Sequence, residues 1–175
     1  ATINIDGSGY RELARELYLS TSVSVYDWSP DGNLIAYTSE HTGAPEINIM
    51  NADGSGNRQV TNRLRGSGSY NPVWSPDGQS IMFSTEHTEV NVMRADGSDV
   101  RQLTFATSQP LSWSPDGQFI LYLSNETSFP RLRVVDKSGE NDRLIAVASQ
   151  EDVLVFEDVF WLLSGAAGVP APLTP

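Results

Sequence analysis

The chain has 175 residues, 39% of them hydrophobic, enough for one domain with a sizeable core and too many for a disordered chain. Its formal net charge of −11 argues against nucleic acid and anionic lipid as partners, and chiefly confers solubility. With no cysteine, disulfides, thiolate metal sites and cysteine nucleophiles are excluded.

The first residue is Ala1 rather than Met, which fits the end left by signal-peptide cleavage or by trimming of a longer chain. Residues 2–9, ending Asp6-Gly7-Ser8-Gly9, look like 48–56, and Arg11-Glu12-Leu13 matches Arg58-Gln59-Val60. These two segments read as outer strands of a sheet. The run 10–19 also has helical charge spacing, with Arg11/Arg15 and Glu12/Glu16, but its first part is assigned to the strand. Then comes Trp28-Ser29-Pro30-Asp31-Gly32, which recurs as Trp74 to Gly78 and as Trp113 to Gly117, at a period of roughly 40 to 46 residues. An apolar strand follows each copy, at 34–38, 81–84 and 119–123. A second strand alternates in 46–50 and 89–93, followed by Asp53-Gly54 or Asp96-Gly97 and a last strand beginning Arg58-Gln59-Val60-Thr61 or Arg101-Gln102-Leu103-Thr104. The third unit is looser, with 132–136, Ser138-Gly139 and 143–145 in those places.

In Ser-Pro-Asp-Gly, proline presets φ, aspartate bonds the nearby backbone and glycine takes the left-handed conformation closing a bulged hairpin. Asp-Gly pairs suit tight hairpins. Each unit is therefore four short antiparallel strands with two apolar faces, which cannot bury both alone. Stacking the units radially solves this, so the expected class is all-β, a β-propeller. Trp28, Trp74 and Trp113, with Asp31, Asp77, Asp116, Gly32, Gly78 and Gly117, are its structural repeat residues. The tryptophans are expected to pack between neighbouring blades.

These motifs resemble the TolB-type WD40-like (PD40) propeller repeat over roughly residues 1–164. The resemblance implies a module of periplasmic, cell-surface or secreted proteins, also found beside peptidase domains. Such modules bind other proteins or gate a neighbouring active site.

The expected blades are 22–61, 69–104 and 108–147, with a composite blade of 1–13 plus 152–164, about four blade equivalents in all. Residues 152–156 and 159–164 read as its inner strands, and 165–175 as a Gly/Ala/Pro-rich tail. The longest apolar stretch, 153–163, is broken by Glu157 and Asp158 and falls short of the roughly 18 residues of a membrane span, so membrane insertion is not expected. The half blades can pair within one chain, pair between chains as rings or filaments, or belong to a larger propeller.

Strand order puts the Ser-Pro-Asp-Gly and Asp-Gly turns at one end. The longer connections, 14–22, 40–45, 62–69, 86–88, 105–109 and 125–130, lie at the other, where binding residues are expected. His41 and His87 occupy equivalent places there, each after a glutamate. Metal binding by them would need converging ligands, and repeat ancestry already accounts for them. Arg63 and Arg65 form a local basic spot, able to meet an acidic partner. Asn125-Glu126-Thr127 is a glycosylation acceptor pattern at Asn125. The chain lacks a nucleophile elbow, and both of its histidines belong to the repeat. Nor does a glycine-rich phosphate loop open a helix, so catalysis, metal and cofactors are not expected. The expected partner is a protein or further copies of this chain. The alternative roles are a self-assembling structural subunit and an accessory propeller of a larger protein such as a peptidase.

Overall fold

The structure, a computed structural model, describes residues 26–41, 43–62, 67–85, 89–104, 108–125 and 129–147. The composite blade, the helix-like run 10–19 and the tail lie outside them. Every regular element among the described residues is a strand, so the chain is all-β as expected. β1 (Tyr26–Trp28), β2 (Leu34–Ser39), β3 (Glu46–Asn51) and β4 (Arg58–Gln59) form one antiparallel sheet in sequence order. β5 (Ser69–Trp74), β6 (Ser80–Thr85), β7 (Val90–Arg94) and β8 (Arg101–Gln102) form the second. β9 (Ser108–Trp113), β10 (Phe119–Ser124), β11 (Arg131–Asp136) and β12 (Arg143–Val147) form the third.

Each Ser-Pro-Asp-Gly segment is a closed hydrogen-bonded turn. Gly32 N donates to Ser29 O at 2.8 Å, and Ser29 N donates across the turn to Leu34 O at 2.9 Å. Ser29 Oγ accepts Leu34 N at 2.9 Å and donates to Asp31 Oδ1 at 2.6 Å, and that same oxygen accepts Asn33 N at 3.0 Å. Ser75 with Asp77, and Ser114 with Asp116, repeat the pattern. Gly32, Gly78 and Gly117 all have φ between 66° and 71°, a region that penalises a Cβ. The two kinds of turn lie side by side: Ala52 N donates to Asn33 O, Ala95 N to Gln79 O and Lys137 N to Gln118 O.

Strand alternation then builds the core. In β6, Ile81 and Phe83 face the first sheet while Met82 faces the third. Ala36, Ile47 and Ile49 of the first sheet close on Trp74, Ile81, Phe83 and Met93. Met82, Val90, Val92 and Leu103 close on Trp113, Ile120, Tyr122 and Val135. Fully burying such side chains stabilises by about 1.5–3 kcal/mol each. Polar links cross the same boundaries. Trp74 N donates to Asp27 Oδ2 at 2.7 Å, and Trp113 Nε1 to Val73 O at 3.2 Å. The Arg58 guanidinium donates to Ala95 O and Asp96 O in the next sheet's turn. There Gly97, at φ +89°, lies so close that a Cβ would sit 2.6 Å from Val60 O.

One difference from the expected strands has a local cause. β4 and β8 stop after two residues, short of Thr61 and Thr104. The Thr61 and Thr104 hydroxyls accept Ile47 N and Val90 N at 2.9 Å, taking amides that a longer ladder would use. The third sheet has Ala146 opposite Leu132, offers no such hydroxyl, and β12 runs for five residues. Of the repeat tryptophans, Trp74 and Trp113 are 5% and 6% exposed between sheets, whereas Trp28 is 39% exposed. Trp28 stands on the side of the first sheet away from the second, where the described residues supply no preceding sheet.

Candidate functional site

The two ends of the sheets differ in chemistry. At the turn end, Asp31, Asp77 and Asp116 are exposed, and their serine hydroxyls, then backbone amides, hold each carboxyl below its ordinary value. Asp96 is lowered likewise, by Ser98 first. For Asp136, burial pushes upward, but Ser138, Asn141 and two backbone amides outweigh it and the net shift is down. Such carboxylates stay ionised and are committed as acceptors, so they serve the turns rather than proton transfer.

Among the sequence-selected residues at the opposite end, His41 is exposed, and its backbone amide donates to Ser39 Oγ at 3.3 Å. Asn125 is exposed directly after β10. Arg63, Arg65 and His87 lie outside the described residues. Among the described residues no group of three or more His, Asp or Glu is gathered as a metal would require. No helix among them is long and apolar enough to cross a membrane.

Three polar arrangements escaped the sequence reading. Glu46, 1% exposed, accepts Thr61 Oγ1 at 2.6 Å, and the signal was there in the equal spacing of Glu46–Thr61 and Glu89–Thr104. Arg133 Nη2 meets Asp142 Oδ2 at 2.9 Å, and the buried Tyr122 hydroxyl donates to Asp142 Oδ1 at 2.8 Å. Burial, then Asp142, pushes the Tyr122 hydroxyl far up, so it remains a proton donor. Asp27 is the exception among the perturbed aspartates: burial raises it, against the lowering by the Trp74 and Trp28 amides. No local motif announced either of the last two.

Four-stranded sheets stacked face to face, each with its Trp-Ser-Pro-Asp-Gly turn, are the arrangement that comparison with known proteins resolves. Residues 2–153 match the family model of the TolB beta propeller domain, PD40. The chain belongs to this family. The solved structure of TolB from Acinetobacter baumannii shares the fold, with a TM-score of 0.65 at 21% identity over 82% of this chain and 36% of that one. The Tol-Pal system protein TolB of Anaeromyxobacter dehalogenans (strain 2CP-C) is 33% identical over 106 residues, 59% of this chain and 23% of the relative. An uncharacterized peptidase, YuxL, of Bacillus subtilis (strain 168) is 41% identical over 56 residues, 31% of this chain and 8% of the peptidase. The chain thus spans under a quarter of either curated relative. In this TolB-type propeller the three described sheets are blades, their apolar faces turned to each other and their loops gathered at two ends.

Proposed function

We propose that this TolB-type propeller is a non-catalytic scaffold outside the cytoplasm, binding a protein partner through the end that carries the long connections. The observation behind this reading is the asymmetry of the two ends. Turn-end carboxylates are consumed by their own turns, whereas the opposite end carries the exposed His41 and Asn125 and the longer loops. The family supports the extracytoplasmic setting, and one relative is named for the Tol-Pal system. A photo-crosslinking residue at position 41, compared with one at position 53 in the turn end, tests it in the extracytoplasmic fraction. A discrete crosslinked partner from position 41 alone is expected; crosslinks from position 53 alone would reverse the assignment.

The exposed Trp28 favours a second reading, in which a further blade covers it. That blade would be the composite of 1–13 and 152–164, closed within one chain or shared between copies. Light scattering separates the two: growth of the particle with concentration supports sharing, and a monomer throughout removes it. The partial match to YuxL supports a third reading, a propeller accessory to a peptidase. A hydrolase segment in the same gene would favour it.

A further inference from the structure

We propose that the third blade carries a binding site for a carboxylate, formed by Ser108, Ser124 and Arg131 at the long-connection end. The ladder fixes their juxtaposition: Ser124 stands opposite Ser108 on one side and opposite Arg131 on the other. Residues directly opposite in a ladder share a face, with Cβ atoms about 4.5–5.5 Å apart. That face also carries Ile120, Tyr122 and Val135, which pack on the second blade, so the row looks into the cleft between the blades. β9 begins at Ser108, β10 ends at Ser124 and β11 begins at Arg131, so the row lies at the mouth of that cleft.

Three buried polar atoms in this row lack a partner: Ser108 Oγ, Ser124 Oγ and Arg131 Nε. The two serines are 2% and 1% exposed. Hydroxyls can adapt as donors or acceptors, but the guanidinium N–H only donates, and neither serine oxygen reaches Arg131 Nε, so that donor lacks an acceptor.

The other two blades show what the acceptor would be. The ladder position of Arg131 is held by Glu46 in the first blade, opposite Ser39. In the second blade it is held by Glu89, whose backbone carbonyl accepts Thr85 N. Their carboxylates are satisfied by neighbouring hydroxyls, Thr61 Oγ1 on Glu46 at 2.6 Å and Thr85 Oγ1 on Glu89 at 3.2 Å. The third blade has Ser108 and Ser124 where the second has Ser69 and Thr85, and Ser69 Oγ too lacks a partner; what sets the third blade apart is a cation in place of the glutamate. A carboxylate from outside the blade would restore the acid that the other blades carry in their own chain. The single positive charge suits a monoanion, and a carboxylate matches the planar edge of a guanidinium. A free small acid and an acidic side chain of a partner share this chemistry.

The test is a titration of the intact chain with formate at constant ionic strength, read at the Arg131 Nε–H resonance. Loss of that resonance in Arg131→Lys assigns it. A saturable shift is expected, and at a tenfold excess over Kd the folding equilibrium constant should rise about elevenfold. The Ser108→Ala/Ser124→Ala variant should bind formate about five- to a hundredfold more weakly, if each lost hydroxyl hydrogen bond contributes an ordinary share. A parallel titration with a blocked glutamate tripeptide separates the sources: saturation by formate alone supports a free acid, and saturation by both supports a partner's side chain. A wild-type resonance that moves without saturating, or not at all, overturns the proposal. So does an unchanged affinity in a folded double-alanine variant.

Discussion

Trp74 and Tyr122 show how much a repeat position depends on its neighbours. Trp74 fills the space between the first two blades beside Ile47, Ile49 and Phe83. Trp74→Ala is expected to cost about 3–5 kcal/mol in urea unfolding, the range for buried aromatic truncation. Trp28→Ala should cost clearly less if Trp28, 39% exposed, stays uncovered, and a comparable amount if a further blade covers it. Tyr122 is matched by Tyr37 in the first blade and Phe83 in the second, as the ladders show. The residue before the last strand varies in step. It is Asn57 beside Tyr37 and Asp142 beside Tyr122, but Val100 where the ring is Phe83. Asp142→Ala should therefore destabilise by about 1–3 kcal/mol, the usual cost of stranding a buried polar group. Adding Tyr122→Phe should return part of that loss, a coupling that a double-mutant cycle in urea would measure.

At the scale of elements, the turns carry both the register and the pH dependence. Each Ser-Pro-Asp-Gly turn fixes the hairpin that follows, and the adjoining turns stack: a Cβ on Gly78 would lie 3.6 Å from Pro30 Cδ, and one on Gly117 the same distance from Pro76 Cδ. Asp31, Asp77, Asp96, Asp116 and Asp136 all have carboxyls below the ordinary 3.8. Depressed folded values mean stability that is present above that ordinary value and lost as pH falls through the folded ones. Asp27, raised by burial, works in the opposite sense, losing its penalty as pH falls. With five groups against one, the urea midpoint should drop between pH 6 and pH 3. Asp116→Asn, with one titrating turn fewer, should show a smaller drop over the same interval; an equal drop would remove the turns as its cause.

At the scale of the molecule, stability rests on blade-to-blade burial, because a single four-stranded sheet cannot cover both of its faces. Deleting residues 1–13 should lower the thermal midpoint of the entire chain, if those residues are half of a blade that covers the face carrying Trp28. An unchanged midpoint would separate the N-terminal segment from the propeller. The prediction concerns cooperation between blades that already share Arg58 with the neighbouring Asp-Gly turn and Asp27 with the neighbouring Trp74 amide.

Much of the fold was legible because its determinants are short-ranged. A turn such as Ser29 to Leu34 closes within six residues, short apolar runs mark β2, β6 and β10, and period-two alternation marks β3 and β7, all without reference to anything distant. The expected last strands overran for the complementary reason. A threonine hydroxyl that replaces a ladder amide is visible only once Thr61 stands beside Ile47. The turn-end aspartates could be read from their motif, whereas the His41 position says little until a partner occupies that end. The sequence by itself determined the inner strands of the three described blades, their turns, the repeat and the family they compose. Tertiary structure alone decided that Asp27 reaches the Trp74 amide, 47 positions away, and that Arg131 comes to stand beside two buried serines. Such contacts depend on the register of strands and the stacking of sheets, which no local pattern of residues specifies.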